Sequence, residues 1–167
     1  MNFLLRLKSW QMFLLLVLPL YLSGIPYLGI ILMILTVGIY IAWVYYITAA
    51  MHAVMPDNLK PPIIYFKYTC ISLLVIMICI FGLNDLVADF LKNDLFVFLM
   101  LFVVCIFLNF AMCRFAGKIL ECAIEGEILY ASDSAKAIFC FWFYPLRVWY
   151  IQPAVRSVLD KYNNSQE

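Results

Sequence analysis

Apolar residues run along this chain in long blocks, separated by short polar punctuation. Residues 9–55 contain no Asp, Glu, Lys or Arg, and His52 is the only histidine among them. Crossing about 30 Å of hydrocarbon takes roughly 20 mostly apolar residues, so this block is too long for one span and suits two. Ser23-Gly24-Ile25-Pro26 divides it, because Gly permits left-handed backbone and Pro removes a donor. The first span is expected at about 3–22, with Arg6 and Lys8 at its interface, and the second at about 27–50. So short a connection makes the pair an antiparallel hairpin. The polar run Met55-Pro56-Asp57-Asn58-Leu59-Lys60-Pro61-Pro62 reads as a loop, and a third span follows at about 63–83. Residues 84–94 carry Asp85, Asp89, Lys92 and Asp94, and Leu86, Val87, Phe90 and Leu91 share one helical face, which predicts a short interfacial turn of helix. A fourth span is expected at about 95–112.

Beyond residue 112 the pattern changes. Arg114, Lys118, Glu121 and Glu125 repeat at helical spacing on one face, while Phe115, Ile119, Cys122 and Leu129 repeat on another, an amphipathic continuation of the fourth span. Gly126 weakens its end, and Ser132-Asp133-Ser134 supplies N-caps for a further helix running into Pro145. The aromatic run 139–153 includes Trp142, Tyr144, Pro145, Arg147, Trp149, Gln152 and Pro153. Its Trp and Tyr favour the headgroup level of a bilayer. The run is too short to cross, so it is expected to re-enter the membrane or to lie in the inner interface. A last short helix is expected at about 154–162.

Composition removes the alternatives to a membrane. Of the 167 residues, 67% are hydrophobic and 13% charged, against roughly half and a quarter in soluble domains. A chain this apolar and aromatic is not disordered, and a formal net charge of +1 gives no footprint for nucleic acid. Counting cations orients the four spans. With the N-terminus inside, Arg6, Lys8, Lys60, Lys67, Arg114, Lys118, Lys136, Arg147, Arg156 and Lys161 all fall on the inner side. Lys92 alone falls outside. Both termini are therefore expected in the cytoplasm. A cleaved signal peptide would read Arg6 and Lys8 as its charged region, but Leu22 stands where a cleavage site wants a small residue.

The ends of the chain carry a resemblance. Arg6-Leu7-Lys8-x-Trp10-Gln11-x-Phe13 resembles the opening of a family of uncharacterised multi-pass inner-membrane proteins of Bacteroidota. Phe141-Trp142-Phe143-Tyr144-Pro145 followed by Trp149-x-Ile151-Gln152-Pro153 is similar to that family's ending, with Leu146-Arg147 where the family tends to have Ile-Gly. The resemblance implies a bacterial inner membrane and no particular activity.

Chemistry-bearing residues are sparse. The six cysteines form no C-x-x-C pair and are expected to stay reduced as small apolar fillers. His52 has no second metal ligand at helical spacing, so neither metal nor cofactor is expected. Asn109 is the one strongly polar amide within a span, and Gly38-x-x-x-Ala42 is a pattern that lets helices approach closely; Gly38, Ala42 and Asn109 are the helix-packing candidates. No Asp, Glu, Lys or Arg falls near the middle of a span, where ion paths and proton relays need one. Glu121, Glu125, Glu127 and Asp133 could serve acid–base chemistry on a lipid headgroup, or form a solvated face.

These features predict an all-α integral membrane protein, with a four-span bundle over 1–112 and a cytoplasmic, membrane-associated helical tail over 113–167. The function they favour is a non-enzymatic scaffold or accessory subunit of a membrane complex. Its partners are the lipid bilayer and either a second copy or another subunit. A self-associating pore, with Thr36, Tyr40 and Asn109 lining an interface, is the alternative, and a lipid-headgroup enzyme the third.

Overall fold

A computed structural model describes residues 7–24, 28–82, 95–126 and 135–164, and among these the fold is helical throughout, with no strand. The helices are α1 (Ser9–Leu22), α2 (Gly29–Val54), α3 (Ile64–Gly82), α4 (Leu95–Glu125), α5 (Ala135–Trp142) and α6 (Tyr144–Asn164). A 3₁₀ turn at Asp57–Leu59 lies between α2 and α3. Three helices, α2, α3 and α4, are long and apolar enough to cross a membrane. The 14 residues of α1 rise about 21 Å, less than the hydrocarbon thickness. The interfacial turn expected near residues 86–91 and the caps expected at Ser132, Asp133 and Ser134 lie outside the described residues.

Helix ends follow local chemistry. The Gln11 Oε1 accepts the Lys8 N–H at 2.8 Å, satisfying a donor that the start of α1 leaves free. At its other end Ser23 Oγ donates to the Leu20 carbonyl. Gly126 closes α4 with φ 76°, and its N–H bonds the Cys122 carbonyl at 2.9 Å. A left-handed residue just past a helix is a position that glycine fills without strain. His52 Nε2 stands 2.9 Å from the Pro61 carbonyl. A carbonyl only accepts, so this nitrogen carries the proton, and His52 ties the end of α2 to the loop before α3.

α2 is the axis of the molecule, packing against α1, α3, α4 and α6. Trp43, Val44, Ile47 and Met51 on α2 are fully buried against Phe66 and Leu73 of α3 and Met112, Ala116 and Leu120 of α4. Phe66 stacks between Tyr45 and Phe115, with ring centroids 6.2 and 5.0 Å away, and pins the three long helices together at one level. Among the described residues the other half of α4 has little to pack on: Phe96, Leu99, Met100, Val103 and Phe107 are all exposed.

The chain after residue 112 packs on the helices before it. α4 runs unbroken to Glu125, α5 folds back along it, and α6 packs on α5, α1 and α2. The apolar faces of α5 and α6 are buried in the bundle: Ala137, Phe141, Val148, Ile151 and Val155 are all core residues. The helix expected at 154–162 begins ten residues earlier, at Tyr144, and contains Pro153. Pro145 falls in its first turn, where the missing N–H would have had no partner.

Candidate functional site

The polar atoms of the bundle converge where the α5–α6 hairpin meets α2 and α4. Tyr40 lies near the middle of α2, and its hydroxyl reaches the Phe141 carbonyl at 3.1 Å, Cys113 Sγ at 3.3 Å and Asn109 Oδ1 at 3.4 Å. One hydroxyl has one proton, and the Phe141 carbonyl is the shorter of its two oxygen acceptors. Cys113 Sγ also lies 3.2 Å from Asn109 Oδ1 and donates there. Phe141 sits at the end of α5, where helical carbonyls have no intrahelical donor. Tyr40 supplies one from across the bundle.

One turn along α2, Trp43 Nε1 donates to Gln152 Oε1 at 3.1 Å. The amide of Gln152 turns its nitrogen the other way and donates to the Leu7 carbonyl at 3.0 Å. Arg156, one turn further along α6, donates to the same oxygen at 2.7 Å. Leu7 precedes α1, so its carbonyl is outside the helical ladder and open to two donors. Gln152 is 1% exposed. In hydrocarbon an unbonded polar group costs several kcal/mol, and this glutamine fits its place because both ends of its amide are used.

A glycine permits the hairpin to come this close. A Cβ built on Gly117 of α4 would stand 2.8 Å from the Ile138 backbone nitrogen and 3.1 Å from its Cα. Backbone cannot rotate aside as a side chain can, so α4 and α5 touch only because residue 117 has no side chain. Aromatic contacts fasten the hairpin on both flanks, Trp142 edge-on to Phe110 at 5.9 Å and Trp149 over Phe13 at 4.7 Å.

The helix-packing candidates separate. Asn109 lies within the polar network. Gly38 does not make a close helix contact: no atom of the described residues lies within 4 Å of a Cβ built there. The stacked rings of Tyr45 and Phe66 hold α2 and α3 apart below it, and Gly38 and Ala42 line an open groove of about 290 Å³. Of the residues expected at the membrane interface, Gln152 is buried within the protein and bonded to Trp43 and Leu7. Trp142 is half-buried, and Trp149 and Pro153 are exposed. The side chains of Tyr144, Pro145 and Arg147 lie outside the described residues. A second cleft of about 570 Å³ opens between α4 and α5, walled by Phe110, Phe139, Trp142 and Phe143 with Arg114 on its lining.

Of the four carboxylates considered for acid–base chemistry, Glu121 and Glu125 fall within the described residues. Glu121 is buried and feels the charges of both Lys136 on α5 and Glu125 one turn along α4, and Glu125 is exposed; Glu127 and Asp133 lie outside the described residues. The Lys136 ammonium sits 4.5 Å from the centre of the Tyr150 ring, a cation–π contact between α5 and α6. All six cysteines are free thiols, Cys79 exposed and the other five buried.

Two participants had a signal that the sequence pattern left unused. Cys113-x-x-x-Gly117 repeats the spacing of small residues seen at Gly38 and Ala42, and it is this second pair that meets another helix. Trp43 had none, since one tryptophan in an apolar helix has no periodic mark.

No protein-family model, no curated protein and no solved structure matches this chain.

Proposed function

We propose that the protein is a non-enzymatic scaffold or accessory subunit of a membrane complex. It belongs to a bacterial inner membrane, crosses it four times with α1 and the residues before it as the first span, and keeps both termini in the cytoplasm. The inner-membrane assignment rests on the likeness of residues 6–13 and 141–153 to the Bacteroidota family, and the orientation on the one-sided distribution of Lys and Arg.

One observation carries the reading. Transporters and intramembrane enzymes turn their few polar groups toward a substrate or a water-filled path. Here Tyr40, Trp43, Asn109 and Gln152 are turned toward one another and toward backbone carbonyls. They fasten helices. The bundle then presents rigid apolar surface, with the exposed half of α4 as the face most suited to another subunit.

Native mass spectrometry of the protein extracted gently from its own membrane tests this. A fixed stoichiometry with a different polypeptide is the expected result. Purified protein that turns over a substrate, or carries one across liposomes with no other component, overturns it.

The two competing readings draw less support. A pore between copies would need Thr36, Tyr40 and Asn109 to face outward, whereas Thr36 is buried with its hydroxyl on the Leu32 carbonyl at 2.8 Å. Headgroup chemistry would need carboxylates converging on an open site, and Glu121 is turned under α5.

A further inference from the structure

Gly38 is a glycine that its own chain does not explain. Glycine inside a helix weakens it relative to alanine, a cost that close packing commonly repays. At Gly117 it is repaid by the backbone of Ile138. At Gly38 no described residue approaches, and the missing side chain instead deepens the groove between α2 and α3.

That groove is apolar along its length and charged at one end. Gly38, Ala42 and Ile71 line it, and Tyr45, Tyr46 and Lys67 stand at the end nearest the α2–α3 loop. Lys67 falls in the first turn of α3, where a spanning helix meets the headgroups. It is exposed and has no carboxylate within ion-pair distance among the described residues. Lys60 in the adjoining loop differs, since Asp57 neutralises it at 2.7 Å. An ammonium with no carboxylate partner among the described residues, at headgroup level beside an apolar groove, is complementary to an anionic amphiphile.

We propose that the groove binds one anionic glycerophospholipid of the surrounding bilayer, an acyl chain lying over Gly38 and Ala42 and the phosphate meeting the Lys67 ammonium. The volume, about 290 Å³, is at the small end of ligand sites and takes part of one chain. Selectivity comes from the net charge of the headgroup, because an ammonium binds phosphate as a point charge and does not shape-select it. The site is separate from the hairpin network and requires only that α2 and α3 cross the membrane.

The test titrates the full-length protein in detergent with phosphatidylglycerol or phosphatidylcholine and counts bound lipid by native mass spectrometry. Wild type is expected to prefer phosphatidylglycerol by about fivefold, the factor that one lysine near an anionic headgroup contributes. Lys67→Gln removes that preference, and Lys60→Gln keeps it. Gly38→Leu fills open space, so its melting temperature holds while retention of both lipids falls about tenfold, a loss of the size expected when apolar contact along one chain is removed. Should it melt lower, Ala42→Met is read in its place with the same expectation. Equal binding of the two lipids by wild type overturns the proposal, as does undiminished retention by the groove-filling variant. So does a homodimer that Gly38→Leu dissolves, for then a second copy occupies the groove.

Discussion

The Arg156 guanidinium donates to the Leu7 carbonyl at 2.7 Å, joining residues 149 positions apart in the chain. The contact is to backbone, so a change of side chain at residue 7 leaves it in place and a change at residue 156 removes it. Gln152 shares the same oxygen. The two together fasten the start of α1 to α6.

Removing them should release the first helix before the rest. Gln152→Leu with Arg156→Met is expected to make the chain near Leu7 cleavable by protease while α2–α4 stay protected. Limited proteolysis in detergent, with mass analysis of the fragments, reads it. Cleavage spread evenly over the chain would mean that the whole bundle depends on these bonds.

Tyr40→Phe keeps the ring and deletes the hydroxyl, leaving the Phe141 carbonyl without its cross-bundle donor. A buried hydrogen bond is worth about 1 kcal/mol net, and membrane double-mutant cycles average about 0.6. The expected loss is therefore about 1 kcal/mol, measured by thermal unfolding. In the same way Trp43→Phe and Gln152→Leu should couple, their joint effect being smaller than the sum of the two.

Gly117→Ala is expected to cost more than either polar change, about 1–3 kcal/mol, as overpacked cores do. The added methyl meets the Ile138 backbone and pushes α5 off α4. Gly38→Ala, by contrast, should leave stability unchanged or raise it. The same substitution in two apolar helices would then be costly in one and tolerated in the other, which a melting curve of each resolves.

Thiol reactivity should rank the cysteines by exposure. Cys79 is expected to react first with maleimide in detergent micelles, with Cys113 and Cys140 protected until the bundle opens. Peptide mapping after a timed pulse gives the order.

Asp57 offers a small dependence on pH. The Lys60 ammonium, through a hydrogen bond and its charge, holds the Asp57 carboxyl below its ordinary value. A depressed carboxyl contributes stability above its unfolded pKa, and the contribution is lost as pH falls through the folded one. The pair is exposed, so the α2–α3 loop should be indifferent to pH above about 5 and should loosen only below the ordinary aspartate range, near 4. Lys60→Gln returns the carboxyl to that range, which an NMR titration of Asp57 detects.

Much of this fold was legible in the spacing of apolar residues. The length of α2 follows from a block without charge, α3 from an apolar block entered at Lys67, and α4 from an apolar block with its amphipathic continuation, and Gly126 marks the end of α4 in sequence as in structure. The place of the hairpin was not legible. The run from Phe139 to Pro153 is aromatic on every side, and periodicity cannot tell an aromatic side chain that faces headgroups from one that faces another helix. Gln152 belonged, by its polarity, to the surface; only the pairing of both ends of its amide with Trp43 and Leu7 lets it stay inside. Gly38 and Gly117 present the same local sequence signal, and what separates them is the position of Ile138, which no local window contains.

The hairpin also imposes an order in time. Ribosomes deliver α2 and α4 before α5 and α6, so Tyr40 and Trp43 enter the bilayer while Phe141 and Gln152 are still unmade. At about 5–20 residues per second, their partners follow only after several seconds. During that interval the nascent bundle has a polar slot open to lipid, at a cost of several kcal/mol per unmet group. Insertion machinery or a chaperone that shields such slots would hold this chain until the hairpin closes. A ribosome stalled between the two would leave a product that membrane quality control can recognise by its unfilled seat.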